Sequence, residues 1–385
     1  MSQSLSISRM FRRPVENAES TESIALVAGA GVFLLGGLAG TIFFWGRNAP
    51  ISGPGSLGAF VAIGAGFVSL VAFIAGRLLL RTDATSEAHA QHLTDLRAGL
   101  HVHNRLDVPG ARLHWFDIAA LALAHAFIAL LAWIGLADLL ERSFIGAVVF
   151  TLPAAVLAGV ALAVTGYVVF LSAVNLTPML LSLVLAIFLV VGALASMLSS
   201  SDPHWWKKNL SALGMTDDVS ALAFNVTLII AGVIVTTIAH YATATIPVST
   251  PAERRGRNRV RIALILIGVC LTCVGIFPVD RFFLIHNTVA TGMTVVYGVM
   301  VVGIRWFIPA MPRVFILLGY VYIAVIVVLA VFFAVGYYNL TAVELVAAVL
   351  IFSWIIVFLR NTSAMRPAEV TDETGATDLP QLASA

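Results

Sequence analysis

Charge is what this chain has least of: 11% of its 385 residues are Asp, Glu, Lys or Arg. A water-soluble domain carries about a quarter, so an ordinary globular surface is excluded. Lysine is almost absent, with Lys207 and Lys208 alone against twenty arginines. Cysteine is limited to Cys270 and Cys273, both inside one apolar run. Their CxxC spacing on a helix puts two small thiols on one face, and without a second such pair it reads as packing rather than a redox or zinc motif. No P-loop, HExxH, nucleophile elbow or dinucleotide fingerprint occurs. The sequence thus calls for no cofactor, and its net charge of +2 gives no reason to expect nucleic acid as a partner.

Hydrophobic sequence is what it has in abundance: 60% of residues, with a mean hydropathy of +0.98. A helix needs about 20 apolar residues to cross the hydrocarbon layer. Ten runs qualify: Ile24–Trp45, Leu57–Leu80, Phe116–Leu139, Phe144–Ser172, Pro178–Ser199, Val219–Thr245, Val260–Phe277, Val289–Phe307, Val314–Tyr338 and Ala342–Leu359. Continuous runs rather than short alternating ones predict helices, not a barrel. The expected fold is all-α, a polytopic transmembrane bundle with the lipid bilayer as its partner.

Placing the N-terminus inside puts 17 of the 22 basic residues in inner segments and leaves Arg47, Arg142, Lys207, Lys208 and Arg281 outside. This asymmetry predicts both termini on the cytoplasmic side. The polar start, 1–23, is too charged, and the first apolar run too long, for a cleaved signal peptide. The expected organisation is a tail at 1–23, a four-span block at 24–174 with a cytoplasmic loop at 81–115, a six-span block at 175–360 and a disordered tail at 361–385. The loop carries His89, His92, His101, His103 and His114, read as solvated rather than metal-binding. An amphipathic helix near Ala90–Leu100 is also weakly signalled.

Gly36 and Gly40 form a GxxxG pair that lets helices approach closely; contacts within the bundle are preferred over an oligomer through the Gly-rich spans. Gly292, Gly298 and Gly303 in the eighth run read the same way. Ionisable residues are nearly missing from the middle of the runs, which argues against a proton-coupled pump. His125 and His240 read as packed histidines, and Asn225 requires a partner in the bundle or in the loop above it.

Polarity concentrates instead in Ser201-Asp-Pro-His-Trp-Trp-Lys-Lys-Asn-Leu-Ser-Ala-Leu-Gly214 and in Phe277-Pro-Val-Asp-Arg-Phe-Phe-Leu-Ile-His-Asn287, both expected outside. The candidate ligand-binding residues are His204, Trp205, Trp206, Lys207, Lys208, Ser211, Asn225, Asp280, Arg281, His286 and Asn287. Lys207, Lys208 and Arg281 would clamp an anionic head group while the tryptophans sit at the interface. Alternatively, Asp202, His204, Asp280 and His286 would hold a metal that activates water. A third reading has the tryptophans as anchors and the histidines as helix caps.

The His204-Trp-Trp stretch, Ser211-Ala-Leu-Gly214, Phe224-Asn225, Gly275-Ile-Phe-Pro278 with Asp280, and His286-Asn287 with Ala290 together resemble a bacterial membrane family known as domain of unknown function 998. The resemblance covers about 175–361. A more distant likeness is to the damage-regulated autophagy modulator family. It implies a six-helix unit with motif residues in its outer loops, and no established reaction. The arginine-to-lysine ratio and high alanine content suggest a GC-rich bacterial genome, hence the cytoplasmic membrane. The preferred expectation is a non-enzymatic protein that handles a lipid-like or small ligand at an outward mouth. The alternatives are a metal-dependent membrane hydrolase, and a scaffold or sensor working through 82–108.

Overall fold

The computed structural model describes residues 18–97, 115–244 and 246–364. Ten helices dominate them: α1 (Ala18–Phe43), α2 (Leu57–Arg97), α3 (Trp115–Ser143), α4 (Thr151–Val174), α5 (Pro178–Ser199), α6 (Val219–Ala244), α7 (Pro251–Ile276), α8 (Phe283–Phe307), α9 (Arg313–Ala334) and α10 (Leu340–Ala364). All ten are long and apolar enough to cross a membrane, so the chain is a polytopic transmembrane helix bundle. Backbone groups in hydrocarbon must be satisfied within the segment, which helices alone achieve without a closed sheet.

Helix starts do not all coincide with the limits of the apolar runs, and side-chain caps mark some of them. Thr177 accepts from Leu180 N at 3.1 Å ahead of Pro178. Thr250 and Glu253 form a capping box, so α7 starts at Pro251, nine residues before the apolar run, and its first turns carry Arg254, Arg255, Arg257, Arg259 and Arg261. Helix α8 also starts early, at Phe283 rather than Val289, but with no side-chain cap at Phe282. The fourth helix starts at Thr151, because Phe144–Phe150 instead forms a turn and a short strand. A further departure lies at 81–97, expected as loop: α2 continues to Arg97. That stretch holds no Gly or Pro, so no strong breaker stops the helix. Of the loop's histidines, His89 and His92 fall on α2, while His101, His103 and His114 lie outside the described residues, as do 1–17 and 365–385. Residues 18–23 and 361–364, expected as tail, belong to α1 and α10.

Successive helices run antiparallel, which sorts the connections to two ends. Segments 44–56, 144–150, 200–218, 277–282 and 335–339 lie at what is termed here the aromatic end. Segments 175–177, 246–250 and 308–312 lie at the arginine end. At the aromatic end a two-residue ribbon pairs β1 (Ala49–Pro50) with β2 (Val148–Val149) antiparallel, Ala49 opposite Val149. Thr151 Oγ1 donates to Phe44 O at 2.8 Å, and Ser52 bonds Asp138, tying the first two hairpins together.

The first four helices pack α1 on α4 and α2 on both α3 and α4; the rest chain as α5 on α6, α6 on α7, α7 on α8, with α10 on α5 and α9. Gly36 and Gly40 face α4, where a Cβ on Gly40 would stand 3.2 Å from the backbone of Ala155. The GxxxG pair is thus used inside the bundle. Gly303 packs under the Phe307 ring, but Gly292 and Gly298 have open space around them, a correction to the expectation that all three pack. One core cluster crosses the blocks, joining Phe73, Leu121 and Val169 to Leu185, Phe188, Ile234 and Ile238. It ends in an aromatic group of Tyr297, Phe315, Trp354 and Phe358. Helix α6 is the most enclosed span and α9 the least, 61% against 11% buried. Since lipid is as apolar as leucine, this assembly rests on close packing and polar ties rather than on the hydrophobic effect.

Candidate functional site

The segment 200–218 coils into two short 3₁₀ turns, Trp205–Lys207 and Leu210–Gly214. The second settles into the aromatic end, with Ala212, Leu213 and Gly214 buried. A loop at that depth leaves backbone groups without water, so each needs a partner. Three helices supply them. From α10, Glu344 Oε2 accepts from Leu210 N at 2.6 Å. From α6, Ser220 Oγ donates to Leu213 O at 3.3 Å and Asn225 Nδ2 to Gly214 O at 3.1 Å. From α8, His286 Nε2 lies 2.9 Å from Ser211 Oγ.

His286 is held from its other side as well. Its Nδ1 stands 2.7 Å from the carbonyl oxygen of Phe277. A carbonyl only accepts, so Nδ1 carries a proton and a neutral ring presents Nε2 as acceptor for the Ser211 hydroxyl. The side chain is buried, whereas Ser211 is half-buried. Two glycines make the arrangement possible by their bareness. A Cβ on Gly214 would run into Asn225 and Phe224, and one on Gly275 would lie 2.6 Å from Asn225 O. The pairs noted in sequence (Ser211 with Gly214, Phe224 with Asn225, Gly275 with Phe277, and His286) therefore meet in one place.

Residues 182–361 match the family model described as "Protein of unknown function (DUF998)". No curated protein and no solved structure matches the chain. The DUF998 block spans α5 from Ser182 to most of α10, and it contains every hydrogen bond of this mouth.

The remaining candidates are spread over the rim. Lys208 Nζ pairs with Asp202 Oδ2 at 3.0 Å, and Asp202 also accepts from His204 N at 2.8 Å. The His204 amide, then Lys208, hold the Asp202 carboxyl below its ordinary range. Arg281 pairs with Asp217 at 3.1 Å and lies 3.7 Å from Asp280. Two of the three cations expected to clamp a head group are thus already engaged with carboxylates. Lys207 instead stands 5.5 Å over the Trp206 ring and, among the described residues, pairs with no carboxylate. Trp205 is half-buried, while Trp206, His204 and Asn287 are exposed. Asn339 Nδ2 donates to Trp206 O at 3.0 Å, which fixes the first 3₁₀ turn against the start of α10.

Of Asp202, His204, Asp280 and His286, only His286 reaches the mouth, and both its ring nitrogens face protein partners. No group of three or more His, Cys, Asp or Glu side chains that would hold a metal occurs among the described residues. Sequence reasoning missed Glu344 and Asn339. A lone carboxylate at the start of an apolar run was the available signal for Glu344, since such a group needs a partner in a bundle.

Proposed function

We propose that the aromatic end faces outward and forms a mouth for a membrane amphiphile, a lipid-like molecule with a polar or anionic head. The observation that carries this is the pairing of Lys207 with Trp206. Among the described residues it leaves this cation of the mouth without a carboxylate, on a ring that is 47% exposed. At the same end of the bundle, exposed Phe283 and Leu284 add apolar surface at the head of α8. A head group set at Lys207 would leave its chains along that surface, in keeping with the place of tryptophan and lysine at membrane interfaces. Removal of charge is the test. With Lys207→Glu and Trp206→Ala combined, crosslinking of a photoactivatable phospholipid to the purified protein should fall about tenfold, the equivalent of roughly 1.4 kcal/mol. Unchanged crosslinking at the 200–218 segment overturns the reading.

A further inference from the structure

The mouth holds a serine, a histidine and a carbonyl in the order in which a nucleophile, its base and the group that orients the base are arranged. Ser211 Oγ lies 2.9 Å from His286 Nε2, and His286 Nδ1 lies 2.7 Å from Phe277 O. Both distances fall within the range required for proton transfer in place. The orienting carbonyl comes from the turn before α8, nine residues away, so the ring is fixed by an element independent of its own helix. Ser211 itself is fixed from both sides by the bonds at Leu210 and Gly214.

A second histidine shows what this geometry looks like when it serves packing. His125 has Nδ1 2.7 Å from Leu121 O and Nε2 2.8 Å from Ser172 Oγ. There the carbonyl belongs to the preceding turn of the same helix, and the ring lies 4.7 Å from that of the buried Phe73, tilted by 36°. Ser172 sits in a transmembrane helix. Ser211 differs in lying in a polar segment at the aromatic end.

We propose that Ser211 is an acyl-accepting nucleophile and His286 its base, acting on the carboxylic ester of a membrane amphiphile; this rests on the reading of the mouth given above. The Ser211 oxygen adds to the ester carbonyl carbon while its proton moves to His286 Nε2. The same proton passes to the departing alcohol oxygen as the C–O bond breaks, leaving an acyl ester on Ser211. Water then adds to that ester, giving its proton to Nε2, and the carboxylic acid leaves as Ser211 regains its hydrogen. Phe277 O keeps Nδ1–H throughout and so holds the ring in the tautomer that can accept.

The full chain in lipid nanodiscs, treated with diisopropyl fluorophosphate or with a hexadecyl fluorophosphonate and read by peptide mass spectrometry, tests this. Ser211 should be modified by both probes, faster than exposed Ser201 and with Ser172 unmodified. His286→Gln should slow the reaction about 100-fold, the low end of what a general base contributes. Should that variant fail to fold, the comparison of Ser211 with Ser201 and Ser172 within the wild-type chain carries the test. Ser211 left unmodified by both probes, or modified no faster than Ser201, overturns the proposal and leaves its hydroxyl as a tie between α8 and the mouth. Modification at equal rates by the short and long probes, unaltered by Lys207→Glu, would keep the dyad and remove the amphiphile.

Discussion

Asp218 gathers four donors on one carboxylate. Its Oδ2 accepts from Ser201 Oγ at 2.5 Å and Ser201 N at 3.3 Å, and its Oδ1 from Thr216 Oγ1 at 2.5 Å and Ala221 N at 3.1 Å. The last bond is a helix N-cap, reaching the third residue of α6. The hydroxyls of Ser201 and then Thr216 hold the carboxyl far below its ordinary range. A depressed carboxyl stabilises the fold above its unfolded value, near 3.9, and loses that contribution as pH falls below it. Asp218→Ala should therefore cost about 1 kcal/mol at pH 7, and the gap to wild type should narrow as the pH falls below about 4. Asp218→Asn keeps a capping oxygen and should lose less. Thermal unfolding in detergent at pH 7 and pH 3 checks both; a gap that widens in acid contradicts the assignment. The same scale shows what could be read in advance. Asn225 and His286 stood out because polar groups in apolar surroundings need partners. Which partner each takes depends on Leu210–Gly214 folding into the bundle, and no periodicity in 200–218 announces that.

Among the elements, α6 and α7 cross at their glycines. A Cβ on Gly268 would lie 2.5 Å from Gly232 O, and one on Gly232 would collide with Gly268 O and Thr272. Thr236 and Thr272 turn their hydroxyls back to Gly232 O and Gly268 O at 2.9 and 3.0 Å, and Thr272 Oγ1 also lies 3.4 Å from Ile229 O across the contact. Gly268→Ala must push the two backbones apart and should cost about 1–3 kcal/mol, as overpacking does. Gly292→Ala and Gly298→Ala meet nothing within 4 Å and should be neutral or stabilising by up to about 1 kcal/mol, since alanine favours helix. Equal losses at all three positions, measured by thermal unfolding in one detergent, would refute this division. The number of spans was legible from apolar runs alone, because lipid demands about 20 of them per helix. Helix ends were not: at Pro251 a capping box decides in polar sequence, and at Phe283 the helix opens in mixed sequence with no side-chain cap and no apolar run to mark it.

At the scale of the whole molecule, the question is what the first four helices do for the DUF998 block. Helix α3 lies against α5 and α6, and Leu121 and Ala124 join Leu185, Phe188, Ile234 and Ile238 in one core. That face of α5 and α6 is apolar, so hydrocarbon would cover it nearly as well as α3 does. A polar contact on it, among the described residues, is Thr237 Oγ1 donating to Asp117 Oδ1 at 3.1 Å, which helps to set the register of the docking. The mouth, by contrast, draws all its bonds from within α5–α10: Leu210 to Glu344, Ser211 to His286, Gly214 to Asn225, His286 to Phe277. A chain cut in the 175–177 link should therefore yield a fragment 175–385 that folds in detergent with its mouth intact, and a fragment 1–174 that co-purifies with it. Asp117→Ala should weaken that co-purification without altering the hydrogen–deuterium protection of Leu210–Gly214. If 175–385 loses protection at Leu210–Gly214 and regains it only when 1–174 is added back, the two blocks fold as one cooperative unit. The four-span block would then be part of the scaffold of the mouth rather than an addition to its flank.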